Sequence, residues 1–299
     1  MAQAYCQELN LEIQQISTLN KKLRKYNIKR KRTETKNEQL KSKNLHGQYF
    51  NLVDQPHIDK KATLNWMRSS TLKRSTEATI CAIQEQAVTT RYIQRHIFHQ
   101  QVDESCRVCN REKETIHHIT SGCSVLAPTK YLQRHNNLCK YTHEPILREN
   151  NMKPEHTSWY LHQPQPVEKN DSTKILWDFS IQTDHRIDHK KPDIFYLNKT
   201  SKEALIIDVA IPSDYNIPRK RMEKVRNYTD LAIEMKTLWN LNSVKIVPII
   251  IGATGVIHKG LSDDIEKLGL IENKFDLREA QRIVLLGTVH VVRSFFNIA

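Results

Sequence analysis

The chain has 299 residues, of which 38% are hydrophobic, and its formal net charge is +13. This length accommodates about two domains, and no run of about 18 apolar residues occurs, so we expect no membrane span. The first residues are polar and include acids, which argues against a secretory signal. Residues 1–50 carry +7 and residues 51–100 carry +3 of the net charge. This asymmetry favours a polyanion as the partner, most simply DNA or RNA; the alternative is a solvated surface without a partner. We expect neither a membrane nor a small-molecule substrate.

A dense basic run lies within the polar, helix-prone segment 1–45. Eight cations occupy residues 21–32 with no acid between them, and the run ends on Lys29, Arg30, Lys31 and Arg32. Such a run is typical of a phosphate-contact surface or of a nuclear localisation signal. The alternative interpretation is a solvated arm without a partner. We therefore predict a basic helical or disordered arm over 1–45 and expect a nuclear protein.

Helical patterns dominate the region that follows the arm. Residues 60–100 predict two amphipathic helices, and residues 125–148 predict another. The side chains that we expect to face inward in the first two helices are Leu64, Trp66, Met67, Leu72, Ile80, Ile83, Val88, Tyr92, Ile93 and Ile97. Three prolines and almost no apolar periodicity mark residues 150–173 as a linker. A mainly helical domain over 46–149 is thus predicted.

Short apolar runs replace this pattern after the linker. ILWDFSIQ, DIFYLN and EALIIDVAIP predict strands, and the turn KTSK joins the last two as a hairpin. A helix over 218–240 opens with Pro218, a favoured early-helix residue, and a buried strand, VKIVPIIIGAT, follows it. Two helices near 259–268 and 276–296 complete the order. This succession predicts an α/β domain over 174–299 with a mixed sheet.

A cysteine–histidine cluster lies between residues 106 and 123. Cys106 and Cys109 form a Cys-x-x-Cys pair that can chelate one ion, and His118 and Cys123 follow at a spacing that can close a tetrahedron. His117 is an adjacent rival for the histidine position. The alternative interpretation is a redox-active Cys pair or a chance spacing, but four candidate ligands within 18 residues favour Zn²⁺. Four protein ligands leave no open position, so the zinc is expected to be structural.

Two acids in the predicted hairpin form a second candidate site. Asp193 heads one strand and Asp208 lies near the end of the next, so hairpin pairing brings both to one end of the sheet. Carboxylate oxygens are ligands that Mg²⁺ prefers, and a bound Mg²⁺ polarises a phosphoryl oxygen. The alternative is a strand-end acid satisfied by the backbone or by a lysine. Burial among apolar neighbours would be costly for such a charge unless it is paired or bound to a metal.

A phosphodiesterase also needs a cation near the nucleophile, and the helix after the hairpin offers several. Position 210, where many restriction-type nucleases carry Lys, is Ala210. Lys224 is the preferred candidate and Lys220 the second, because the two lie one turn apart on one helix face. Tyr228 extends that face by another turn and could contact a phosphate. The alternative is a solvated basic helix.

Longer motifs give a specific resemblance. ETIHHITSGC, LAPTKYLQRHNNLC, WDFSIQTD, KPDI, LIIDVAIPSDYN, EKVRNYTDLAIE, VPIIIGATG and LLGT occur here in this order. Through these motifs the chain resembles the C-terminal region of restriction-like-endonuclease non-LTR retrotransposons, of the type that inserts into ribosomal DNA. The resemblance extends from about residue 60 to about residue 294. The resemblance implies a PD-(D/E)xK endonuclease core with a mixed sheet, preceded by a mainly helical domain that contains a zinc knuckle.

The resemblance also implies residue roles. It places the knuckle histidine at His118, the metal-binding acids at Asp193 and Asp208, and the displaced lysine at Lys224 or Lys220. Arg134 and His135 match a basic pair that resembles a nucleic-acid contact, although a surface helix pair is the alternative. The expected nucleic-acid-binding residues are Lys29, Arg30, Lys31, Arg32, Arg134, His135, Lys191 and Tyr228.

In this family the full polyprotein nicks target DNA and then primes reverse transcription from the free end. The chain departs from that plan, because no pair of adjacent Asp follows an aromatic residue and its Asp-Asp pair is Asp263–Asp264. We therefore expect a Mg²⁺-dependent DNA endonuclease with an attached zinc knuckle, a fragment without reverse transcriptase activity. The alternative is a non-catalytic nucleic-acid-binding remnant of the element.

Overall fold

A five-stranded mixed sheet forms the centre of the C-terminal half of the protein. The computed structural model describes residues 21–68, 72–152, 158–270 and 275–298, so the predictions made for residues 1–20 lie outside the described residues. The strands are β1 Val167–Lys169, β2 Thr173–Trp177, β3 Ile194–Asn198, β4 Glu203–Ala210 and β5 Ser243–Ile250. They lie side by side in chain order, antiparallel from β1 to β4, with β5 parallel to β4. The predicted α/β class with a mixed sheet is confirmed.

Helices precede the sheet, cross between its last two strands and close the chain. The helices before the sheet are α1 Lys21–Lys41, α2 Gln48–Val53, α3 Lys60–Thr63, α4 Arg74–Gln84, α5 Arg91–His96, α6 Ile116–Ser121 and α7 Leu132–Glu149. The helices that follow strand β4 in the chain are α8 Ile217–Leu238, α9 Gly260–Glu266 and α10 Leu277–Ile298. The connection from β4 to the parallel strand β5 runs through α8, as a parallel pair requires.

The sheet is covered on both faces, and the alternation of side chains along β4 shows how. Ala204 and Ile206 pack with Tyr228 and Leu231 of α8. The intervening residues Leu205, Ile207 and Val209 pack in a different cluster with Leu138 of α7 and Ile283 of α10. Successive residues of a strand point to opposite faces. The result is a layer of α8, the sheet, and a layer of α7 and α10.

The region 60–100 differs from the prediction of two amphipathic helices. It contains the short helices α3, α4 and α5 and a 3-10 turn, Asn65–Met67. Gln86 adopts a φ of 55° just beyond α4, and the Thr90 side chain caps α5 by accepting a hydrogen bond from the Ile93 amide. Of the side chains expected to face inward, Met67 and Ile97 are exposed instead, because each lies at the end of its short element.

The helix α10 joins two hydrophobic clusters. Its first half contributes Ala280 and Val284 to the cluster under the sheet. Its second half contributes Val289 and Phe295 to a cluster that also contains Ile80 of α4 and the cysteines of the knuckle. Helix α10 therefore contacts both the N-terminal helices and the sheet region, in addition to the direct packing of α2 against the ends of β4 and β5.

The segment 150–173, expected to act as a linker, contributes β1 and the first residue of β2 in its described part. The Asn170 side-chain oxygen accepts hydrogen bonds from the amides of Ser172 and Thr173, at 3.1 and 2.7 Å, which turns the chain between the two strands.

None of the helices in the described parts of the chain has both the length and the apolar composition needed to cross a bilayer.

Candidate functional site

The four predicted knuckle ligands meet at one point. Their ligand atoms lie within 4.8 Å of one another, and Cys106, His118 and Cys123 are buried. The Cys109 Sγ lies 3.3 Å from His118 Nε2. Three thiols and one imidazole are the donor set of a structural zinc site, so this Cys/His cluster could hold a metal such as zinc.

Local hydrogen bonds bring these ligands together. Thr115 caps α6 by accepting a hydrogen bond from the His118 amide at 3.1 Å, which fixes the start of the helix that carries the histidine. The Tyr131 hydroxyl donates to the His118 and Ile119 carbonyls at 3.0 and 2.8 Å. It also accepts from the Cys123 amide at 3.0 Å. One phenol thus ties the histidine and the last cysteine of the knuckle.

The histidine chosen by the resemblance is the one that enters the cluster. His118 Nδ1 lies 3.1 Å from Glu112 Oε2, and this contact leaves Nε2 for the cluster. Glu112 was not singled out in the sequence, although an acid close to a predicted ligand histidine is the signal that would have found it. His117 turns away, and its ring packs edge-on against Tyr215 with 5.5 Å between centroids.

The two acids of the hairpin also come together. Ile194 of β3 pairs with Ile207 of β4, so the next residues outward, Asp193 and Asp208, lie opposite each other at the end of the ladder. Asp193 Oδ2 accepts a hydrogen bond from the Val209 amide at 2.7 Å. Asp208 is only 2% exposed, whereas the Asp193 side chain is 20% exposed. Asp208 is therefore the more enclosed of the two carboxylates, and Asp193 is the more open to solvent.

Helix α8 supplies the partners of the enclosed carboxylate. Lys224 Nζ lies 2.6 Å from Asp208 Oδ2, and the Tyr228 hydroxyl donates to Asp208 Oδ1 at 2.7 Å. Burial and the charge of Asp193 raise the pKa of Asp208. Burial acts against the charged form of Lys224, but the attraction of Asp208 outweighs it and raises the pKa of the lysine.

Within the described residues, only one of the two candidate lysines, Lys224, contacts the carboxylates. Lys220 lies one turn earlier and pairs with Glu223 at 2.7 Å. Tyr228 is buried, with its hydroxyl on Asp208 and on the Lys191 carbonyl at 3.2 Å. The hydroxyl that was expected to contact a phosphate is thus hydrogen-bonded to Asp208, and its contact with a phosphate stays a prediction.

His135, at the start of α7, reaches the same carboxylates from the other layer. Its Nε2 lies 3.2 Å from Asp193 Oδ2 and 3.1 Å from the Val209 carbonyl. Burial disfavours the imidazolium, but the hydrogen bond and the attraction of Asp193 outweigh burial and raise the pKa of His135 to about 9. A cationic ring beside Asp193 is thus present at neutral pH, a role that neither sequence pattern nor spacing indicated.

Arg134 is not the surface cation that its resemblance to a nucleic-acid contact suggested. It is 2% exposed, and its guanidinium donates to Thr288 Oγ1 at 2.7 Å and to the Thr120 carbonyl at 2.9 Å. A Cβ built on Gly287 would lie 2.5 Å from the Arg134 Cγ, so the glycine of LLGT leaves room for this side chain. Arg134 therefore joins α6 to α10 and reaches the lining of the cleft described below.

The remaining predicted contacts lie on the surface. Lys191, which shares its chain segment with Asp193, forms an ion pair with Asp178 at 2.9 Å and is about half exposed. Helix α1 has no buried residue along its length, and Lys29, Arg30 and Arg32 are exposed on it. Arg30 also lies 3.5 Å from Glu34. These cations of α1 form a basic surface apart from the carboxylates.

A cleft of about 1040 Å³ separates the knuckle from the carboxylates. Helix α6 and the start of α7 form one wall, and the end of β4 and the start of α8 form the other. Its lining includes the cationic side chains of Lys113, Arg219, Lys220 and Lys224, together with His117 and His135. The lining also contains the acids Glu112 and Glu223, but cations outnumber them, so the cleft is basic. Lys224 and His135 both line the cleft and contact the carboxylates, so the Asp193–Asp208 pair lies next to it.

Comparison with known proteins finds no family model that matches the chain and no curated protein with significant similarity to it. The function of the site is therefore argued from its residues.

Proposed function

We propose that the protein is a Mg²⁺-dependent DNA endonuclease of the PD-(D/E)xK type, derived from the reverse transcriptase–endonuclease polyprotein of a non-LTR retrotransposon. The observation that carries this proposal is the contact of Lys224 with Asp208 at 2.6 Å, with Asp193 opposite and a basic cleft beside them. Two carboxylates and a lysine are the minimal set for metal-dependent phosphodiester hydrolysis. The ordered sequence motifs support the same assignment.

The residues fit a divalent cation of this kind. Asp193 offers carboxylate oxygen on the open side of the site, where water and substrate phosphate can complete the octahedral coordination that Mg²⁺ demands. Asp208 Oδ1 accepts the Tyr228 hydrogen bond and Oδ2 lies against the Lys224 ammonium, but each carboxylate oxygen has a second lone pair for a metal. When bound, Mg²⁺ polarises a phosphoryl oxygen and lowers the pKa of a coordinated water.

The side chains of the protein supply the remaining chemistry. Lys224 holds a positive charge where negative charge accumulates on the phosphate during hydrolysis, in a partly enclosed site where that charge acts strongly. Tyr228 fixes the orientation of Asp208 through Oδ1. The cationic His135 holds Asp193 Oδ2. The basic cleft walls attract and align the nucleic-acid backbone.

Nicking of supercoiled plasmid tests the proposal. The zinc-loaded chain should convert supercoiled to open-circular DNA in Mg²⁺ and not in EDTA. Asp193→Asn, Asp208→Asn and Lys224→Met should each lower the nicking rate about 100-fold or more, in line with the removal of a group that stabilises transition-state charge.

Two matched controls share helix α8 with the lysine. Asp230→Asn and Lys236→Met repeat the same chemical changes at exposed positions and should leave nicking unchanged. Wild-type protein that binds plasmid and never nicks it in Mg²⁺ or Mn²⁺ would remove the enzymatic assignment.

A second candidate function is nucleic-acid binding without cleavage. It is favoured by α1, a 21-residue basic helix that has no buried residue and makes no contribution to the cores. Binding of this kind is dominated by phosphate contacts and weakens steeply as salt increases. It predicts retardation of DNA or RNA by wild type and by Asp208→Asn alike, with no nicked product from either.

A further inference from the structure

A second group of metal-ligating side chains lies away from the knuckle and the carboxylates. His143 of α7, His162 ahead of β1 and Glu168 in β1 place one ligand atom each within 4.8 Å of one another. Both histidines are buried, and the Glu168 side chain is only 17% exposed. Three segments of the chain therefore converge on one enclosed polar point.

The surroundings of His143 give an independent sign that something is to be bound here. Its ring is completely buried, and within the described residues neither ring nitrogen has a hydrogen-bond partner. The closest acidic atom, Glu168 Oε1, is 3.7 Å from Nε2, beyond hydrogen-bond length. Burying an imidazole without hydrogen-bond partners costs free energy. A ligand that bound one of the ring nitrogens would lower this cost.

The aromatic packing holds the two rings side by side. His143 and His162 stack with 5.5 Å between centroids and 11° between planes. Trp177 of β2 packs edge-on against His143 at 5.2 Å. The indole packs against one of the two rings from the sheet, and one nitrogen of each ring lies within 4.8 Å of a Glu168 oxygen.

We propose that His143, His162 and Glu168 form a second zinc site, with a structural role. Two imidazoles and one carboxylate form a donor set that proteins use for zinc, and the present spread of the ligand atoms requires only a small contraction around an ion. A water molecule completes the tetrahedron. Three protein ligands and a water are also the ligand set of catalytic zinc sites, but here both histidines are buried and Glu168 is only 17% exposed, so the water position is enclosed and the role is structural.

The position of the site defines its role. His143 lies eight residues after His135 on the same helix, about 12 Å along the helix axis. The ion would thus be remote from Asp193 and would not take part in phosphodiester chemistry. It would tie helix α7 to the edge strand β1 and to the segment that leads into it. This inference does not depend on the proposed nuclease activity.

Zinc stoichiometry and cobalt spectroscopy of the full chain test the site. Wild type should bind two equivalents of zinc, one of them in the knuckle. With Co²⁺, the knuckle should give thiolate-to-metal charge-transfer absorption, whereas the second equivalent should add d–d bands without further charge transfer, because no sulfur ligates it. His143→Gln should bind one equivalent and lose only the second spectral component. Cys109→Ser should lose the charge-transfer component and keep the other.

Two further variants guard against misfolding. Glu168→Gln keeps the shape of the side chain and should weaken the second equivalent at least tenfold while the knuckle spectrum is unchanged. His185→Ala removes an exposed histidine that pairs with Glu234 and should still bind two equivalents.

A wild-type stoichiometry of one, or a second equivalent that survives both His143→Gln and Glu168→Gln, would overturn the proposal. A second readout separates a structural ion from a loose one. The Tm of wild type should rise when zinc exceeds the first equivalent, and that rise should be absent in Glu168→Gln and present in His185→Ala. The absence of any rise in wild type would contradict a structural role.

Discussion

At the scale of single residues, the buried carboxylate of Asp214 carries a measurable pH dependence. It accepts hydrogen bonds from the Thr254 amide at 3.1 Å and from Thr254 Oγ1 at 2.8 Å. Burial nevertheless raises its pKa from 3.8 to about 6. The folded protein therefore holds this proton more tightly than the unfolded chain does. Its contribution to stability is present below about pH 4 and is lost as the pH rises through about 6.

Asp214→Asn should remove this dependence. The quantity to follow is the free energy of unfolding of wild type minus that of the variant. This difference should fall by about 3 kcal/mol between pH 4 and pH 7, since one pKa unit corresponds to about 1.4 kcal/mol. Urea denaturation at pH 4, 5, 6 and 7 measures the difference. The exposed variant Asp230→Asn should show no such trend, and a constant difference between wild type and Asp214→Asn would refute the assignment.

The orientation of Asp208 depends on a single hydroxyl. Tyr228→Phe removes the donor at 2.7 Å from Oδ1 and keeps the ring in its cluster. Hydrogen bonds to charged groups contribute about 1.5–3 kcal/mol, so on the proposed function the nicking rate should fall by at least about tenfold. Thermal denaturation should change little. Tyr160→Phe, at an exposed position, is the control, and an unchanged nicking rate in Tyr228→Phe would show that Lys224 alone orients Asp208.

The sequence predicted several of these contacts because they follow from strand register. Once the turn KTSK is assigned, hairpin pairing places Asp193 opposite Asp208. Helical spacing then places Lys220 and Lys224 on one face of helix α8. The His135–Asp193 pair and the Arg134–Thr288 contact were beyond prediction, because they join positions in separate layers whose docking no local pattern encodes. The knuckle ligands were predictable since all four lie within a short stretch of chain.

At the scale of elements, α1 is a basic surface with no buried residue, and its end at Lys41 contacts α2 through the Asn51 side chain. Replacing Lys29, Arg30, Lys31 and Arg32 by Ala should weaken nucleic-acid binding. The slope of log K against log salt should become shallower by about 0.9 for each phosphate of duplex DNA that the variant leaves unneutralised. Fluorescence anisotropy over a salt series measures the slope.

The control for this helix has the same change in charge. Ala substitutions at four exposed lysines of the C-terminal half, Lys199, Lys202, Lys236 and Lys245, should affect the slope much less. Equal effects of the two sets would mean that net charge, rather than the surface of α1, determines binding.

Strands β3 and β4 and helix α8 were predicted to within two residues at each end. The predicted strand VKIVPIIIGAT starts within one residue of β5 but continues beyond its end at Ile250, because the apolar run continues into the buried loop that follows the strand. The predicted strand ILWDFSIQ ends early, at Trp177, since Asp178 adopts a φ of 45°. Gln86 breaks the helical region 60–100 in the same way. Aspartate is enriched at positive φ but more often adopts negative values, and glutamine carries no such signal, so neither break was predictable from residue type alone.

At the scale of the whole molecule, the knuckle and the last helix share a hydrophobic cluster. Cys106 and Cys123 pack with Leu285 and Phe295 of α10, and the other half of α10 packs under the sheet. The stability of the knuckle is thereby transmitted to the part of the molecule that carries the carboxylates.

Removal of zinc from the knuckle should therefore loosen α10 as well as residues 106–123. Metal binding of this kind contributes directly to folding free energy. Hydrogen exchange after chelation should show faster exchange of the amides in the second half of α10, whereas β4 amides should retain more protection. Cys109→Ser should reproduce the effect without chelator. Fast exchange confined to residues 106–123 would mean that the helix docks independently of the metal.

Ala210 follows Asp208 by two residues on the same face of strand β4, and its side chain is small. The residue is 6% exposed and packs with Tyr49 and Val53 of α2 and with Ile217. The cation beside Asp208 comes instead from Lys224 of helix α8. The carboxylate and the cation are therefore carried by different layers of the molecule, so a shift of α8 against the sheet would change the distance between the two charges without any change in strand register.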